Sequence, residues 1–100
     1  GNRHAQAYFG VFKKVLPEAL AVMDEQVQNR WVELAFEVDR QVETAVAENS
    51  INPQNIEADI RTKLLPMLFK YCKDVGAGLD KVKKMVELIV QITRVGLSNK

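Results

Sequence analysis

The chain is poor in the residues that bind metals or cross-link a fold: one cysteine and one histidine in 100 residues. A metal site needs three or four His, Cys or clustered carboxylate ligands, and this set does not supply them. Cys72 has no partner for an internal disulfide, and on an apolar helical face it reads as a small buried hydrophobe, which fits a reducing compartment. Glycine and proline are also scarce, at five and three residues. With Ala, Val, Leu, Glu, Gln and Lys dominant, the composition is helical and strands are a minority expectation. No apolar run reaches the ~18 residues that a bilayer requires, and the N-terminus lacks the charged and apolar regions of a signal peptide. A soluble, intracellular protein with no membrane partner is expected.

Reactive constellations are missing as well. Nuclease sites of the Asp…Glu-x-Lys kind place a lysine two residues after the glutamate, and none of the eight glutamates here has one. Gly76, Ala77 and Gly78 form a glycine-rich loop, but no Lys-Ser or Lys-Thr follows at the Walker spacing. Cys72 with His4 as nucleophile and base ranks below a core thiol, because His4 lies near a chain end expected to fray. Carboxylates such as Asp24 with Glu25, or Glu37 with Asp39, read as solvated surface groups.

What is present is one core's worth of apolar residues, 47% of the chain, patterned for an all-α, single-domain bundle of about four helices spanning residues 1–100. Asn2 to Leu16 predicts a first helix, with Ala5, Tyr8, Phe9, Phe12, Val15 and Leu16 on one stripe. Gly10 within it suggests close helix packing. Pro17 ends that helix and suits the first turn of the next. Residues 18–48 contain neither Gly nor Pro and predict one long helix, with Leu20, Met23, Val27, Trp31, Leu34, Val38, Val42 and Ala45 on its seam and Val32 and Phe36 beside it.

The stretch from Ile51 to Cys72 states its own boundaries. Asn52 is placed to cap a helix and Pro53 to occupy its first position. Ile56, Ile60, Leu64, Met67, Leu68 and Tyr71 define a face widened by Leu65, Phe69 and Cys72. Pro66 removes the hydrogen bond to the Thr62 carbonyl, predicting a kink or break near Leu65. The short turn at 49–51 predicts antiparallel packing on the long helix. Leu79 to Val95 predicts a last helix capped by Asp80. Its β-branched density from Val86 to Thr93 makes a strand the competing reading, disfavoured because the run does not alternate and a lone strand would have nothing to pair with.

The net charge of +1 is uneven. Residues 1–49 carry five basic and eight acidic side chains, a net of −3, and residues 50–100 carry nine and five, a net of +4. Attraction between the halves accounts for this more simply than a nucleic-acid surface. Lys81, Lys83, Lys84 and Arg94 are the candidates for contact with phosphate or a partner, and Trp31 is a candidate hot spot if exposed and a core residue otherwise.

Three phrases carry a family resemblance. AYFGVFKKVL (7–16), NPQNIEADIRTKLLPMLFK (52–70) and LDKVKKMVELIVQITRVGL (79–97) resemble, in order, segments near the C-terminus of the restriction (R) subunit of type I restriction-modification enzymes. The resemblance covers nearly the whole chain and implies a piece of a larger protein. In that family the R subunit is an ATP-dependent, DNA-translocating endonuclease with nuclease and motor domains, and its helical C-terminal domain is expected to dock it on the methyltransferase and specificity subunits. ATP and Mg²⁺ are thereby implied for the parent protein, with no cofactor in this piece. DNA is reached through the parent complex, or, as the alternative, directly through the basic half. No catalytic residue carries over.

Overall fold

The computed structural model describes residues 2–98. Among these, 87% are helical and none lies in a strand, so the all-α reading holds and the strand competitor at 86–93 is removed. Five helices follow one another: α1 (Asn2–Val15), the single turn α2 (Pro17–Leu20), α3 (Glu25–Glu48), α4 (Ile56–Cys72) and α5 (Leu79–Ser98). The four long ones form a bundle of 43 × 26 × 17 Å.

Each long helix runs antiparallel to the next. Phe12 of α1 meets Trp31 of α3 with ring centroids 5.4 Å apart, and nearer the other end His4 lies beside Asp39 at 3.8 Å. Lys63 of α4 reaches Glu48 at the end of α3 at 3.0 Å. Arg61 and Glu57 of α4 reach Glu87 and Arg94 of α5. The α1 and α5 helices pack together as well, which closes the ring around one core. Phe12, Val38, Ile60, Leu64, Leu68, Cys72, Val82, Met85, Ile89 and Val90 are completely or almost completely buried at its centre.

Pro17 performs both tasks assigned to it, ending α1 and opening α2. The long helix, however, does not span 18–48: residues 21–24 leave the helical path, and α3 starts at Glu25. Asp24 is extended, at φ −118° and ψ 121°, and its carboxylate accepts hydrogen bonds from the backbone N–H groups of Gln26 and Val27 at 2.8 and 3.3 Å. Asp24 is therefore an N-cap and not merely a solvated acid. Gln28 Nε2 donates to the carbonyls of Leu20 and Val22, at 2.7 and 2.9 Å, and closes the turn. The break lets Leu20 stay in the core while the chain reverses direction. Met23, assigned above to the seam, is instead 97% exposed.

Asn52 does not cap with its side chain. Its backbone carbonyl accepts from Asn55, and Pro53–Asn55 form a 3₁₀ turn that feeds into α4. The α4 helix then runs unbroken through Pro66, so of the expected kink or break the break does not occur. Pro66 and Thr62 both lie on the exposed side, where water can serve the carbonyl that proline leaves without a donor. The buried row of α4 is Ile56, Ile60, Leu64, Leu68 and Cys72, each four residues apart. Such a row leans across the helix axis and bridges α3 to α5, leaving Phe69 and Tyr71 half exposed.

The loop after α4 ends in a Schellman motif: Ala77 N–H donates to the Cys72 carbonyl, Gly76 N–H to that of Lys73, and Gly76 takes φ 72°. Asp80 is not the cap of α5 but lies in its first turn. The Val82 N–H donates to the Gly78 carbonyl at 3.3 Å, so Gly78 opens the helix. Gly10 has nothing within 4 Å of where a side chain would begin, so it does not mark close packing.

Candidate docking surface

The residues singled out from sequence separate into two groups. Trp31 is buried against Phe12 and offers no contact face. Arg94 is held by Glu57 in a bidentate pair, Nε to Oε2 at 2.9 Å and Nη2 to Oε1 at 2.7 Å. Arg61 makes the equivalent fork with Glu87, at 2.8 and 3.0 Å. These hydrogen bonds, more than any other influence, hold the Glu57 and Glu87 carboxyls below their ordinary range. Lys63 pairs with Glu48 and Asp59. The cations of this end of the α4–α5 pair are thus engaged within the molecule.

At the opposite end they are not. Lys81, Lys83 and Lys84, in the first turns of α5, are exposed, as are Lys70 and Lys73 at the end of α4, and none forms an ion pair among the described residues. The same corner exposes Phe69, Tyr71, Val75 and Leu79, each by 40–45%. Sequence reasoning missed these apolar residues because helical spacing assigned Phe69 and Tyr71 to the buried face. Only the lean of the buried row turns them outward.

Hollows lie elsewhere as well, two of them bordered by both α1 and α3. One, of about 340 Å³, is bordered by Phe9, Val32 and Phe36 between α1 and α3. The other, of about 300 Å³, lies among α1, α3 and α5 and gathers His4, Tyr8, Asp39, Glu43 and Thr93 around Val42, Val46 and Ile92. Asp39 is buried there, correcting its reading as a solvated acid. Its position four residues after Ala35 and three before Val42 was the available signal, since both neighbours face the core. Burial pushes the Tyr8 phenol above its ordinary range, opposed by its hydrogen bond with Thr93 and assisted by Asp39 and Glu43.

None of these arrangements forms a reactive set. Burial pushes the Cys72 thiol up to about 11, so it is a protonated core residue at neutral pH. Among the described residues no group of three or more His, Cys, Asp or Glu could hold a metal ion. No described helix is long and apolar enough to cross a membrane. Comparison with family models, curated proteins and solved structures finds no significant match.

Proposed function

We propose that this chain is the C-terminal assembly domain of a type I restriction enzyme R subunit, a non-catalytic module that docks the motor and nuclease subunit on the methyltransferase–specificity core. The observation that carries the reading is the convergence of the three family-like phrases. The first forms α1, the second the 3₁₀ turn and α4, and the third α5. They meet around one core, with Tyr8 against Thr93, and at its surface Glu57 pairs with Arg94. Segments that resemble a single domain by order thus cooperate as a single domain in space. The parent protein in this reading is an ATP-dependent endonuclease of the cytoplasm, and its nuclease and motor chemistry lies outside this bundle.

The test is assembly. An R subunit lacking these residues is expected to keep ATPase and nuclease folds but to lose stable association with the cognate core in size-exclusion chromatography, while the isolated chain binds that core. Normal assembly of the truncated subunit, with no binding by the isolated chain, defeats the proposal. The alternative, direct DNA contact through the basic half, is favoured by Lys81, Lys83 and Lys84, which form no ion pair among the described residues, but weakened by the engagement of Arg94 with Glu57.

A further inference from the structure

The geometry points to the α4–α5 corner as the docking face, and to an acidic protein surface with an apolar depression as its occupant. This inference rests on the assembly reading and gives it a location and a chemistry. The first observation is the distribution of exposed apolar residues. Phe69, Tyr71, Val75 and Leu79 fall within eleven positions of one another at a single end of the bundle. Val75 lines one shallow groove with Tyr71 and Val27, and another with Pro17 and Lys81. The grooves run from the corner to α2 and to the start of α3, the elements on either side of the loop whose Met23 is 97% exposed. Aromatic residues and methionine are the types enriched where proteins meet, and a fully exposed, flexible methionine suits insertion into a partner's pocket.

The second observation is charge. Residues 66–86 carry five lysines against Asp74 and Asp80, a net of +3. These lysines are exposed in the same segment as the apolar residues, Lys81 sharing a groove with Val75, and form no ion pairs among the described residues, whereas Arg61, Lys63 and Arg94 toward the other end are all paired. An apolar centre with a charged rim is the anatomy of a docking site, and the rim steers an oppositely charged partner. Nucleic acid fits less well. Val75, Leu79 and Met23 have no role toward phosphate, and Asp74 and Asp80 would repel it, although Arg30 lines one of the grooves. The neighbouring α1–α3 hollow shares the apolar character but not the concentration of unpaired cations.

The experiment measures binding of the 100-residue chain to the purified cognate methyltransferase–specificity complex at several salt concentrations. The variants are the triple Lys81→Glu, Lys83→Glu, Lys84→Glu and the single Met23→Asp, with Ile51→Asp as control, since Ile51 is 90% exposed at the far end. All five positions are exposed, and circular dichroism confirms folding of each variant. The triple variant is expected to weaken binding by about tenfold or more, chiefly through a slower association rate, and to flatten its salt dependence. Met23→Asp is expected to weaken it by about tenfold through faster dissociation, and Ile51→Asp by less than about twofold. Wild-type affinity in both corner variants overturns this face and leaves the assembly reading standing. Failure of the wild-type chain to bind the complex removes the assembly reading and this inference together. Binding of a duplex DNA that the triple variant loses and Met23→Asp retains, with the complex indifferent to Met23→Asp, assigns the corner to nucleic acid instead and overturns the proposal.

Discussion

Asp24 shows how much one side chain contributes when the backbone needs it. Without its carboxylate, the N–H groups of Gln26 and Val27 would turn to water at the start of a 24-residue helix. Replacing an N-cap aspartate by alanine costs about 1 kcal/mol, or about 4–8 °C in melting temperature for a domain of this size. Asp24→Ala is expected to show that loss in a thermal melt and Asp24→Asn to retain most of the stability. Equal melting of Asp24→Ala and wild type would mean that Gln28, bonded to Leu20 and Val22, sets the break unaided. Cys72 and Trp31 behave at this scale as their sequence context suggested, both as core residues. Arg94 does not present itself to a partner, because Glu57, 37 residues away in the sequence and on the neighbouring helix, holds it; nothing in the sequence around Arg94 names Glu57.

At the scale of the element, α4 carries a proline that a free-standing helix would not tolerate. Pro66 forfeits one helical hydrogen bond and crowds the preceding turn, yet the helix continues to Cys72. Burial of Leu64, Leu68 and Cys72 on the opposite side outweighs that cost. Pro66→Ala is accordingly expected to stabilise the fold by about 1 kcal/mol or more, through recovery of the bond to the Thr62 carbonyl and relief of crowding, less the entropy that proline removes from the unfolded chain. A urea midpoint at or below that of the wild type would contradict this account.

At the scale of the whole molecule, α4 and α5 are joined by a buried seam and, above it, by the forks Arg61–Glu87 and Arg94–Glu57. Hydrogen bonds to the arginines depress both carboxyls in the folded state. A depressed carboxyl adds stability above its ordinary range, and that contribution is lost as pH falls through the folded value. The double variant Glu57→Gln, Glu87→Gln is therefore expected to have a lower urea midpoint than the wild type at pH 7. The two midpoints should converge in acid, and the gap should narrow in high salt. Both pairs face solvent, so the difference is small; a gap that persists unchanged at low pH would show that the pairs do not link the helices.

Sequence alone determined the class and most of the parts. Helical periodicity requires nothing beyond neighbours three and four residues away, so the core residues of α1 and α5, the turn after Glu48 and the proline boundary at 17 were legible along the chain. Even there, Val11 lies off the stripe that the spacing of α1 defines and is buried all the same. Tertiary structure alone decided the rest. The reversal at 21–24 answers the need to bring α3 back along α1, a requirement absent from the local sequence, although the Asp24 cap was there to be read. The turn of Phe69 and Tyr71 toward solvent follows from the way α4 crosses its neighbours. Which lysines remain without partners depends on where acids from other helices arrive. Periodicity is a property of one helix, whereas a surface belongs to several, and the basic, apolar corner exists only once the ends of α4 and α5 are held together.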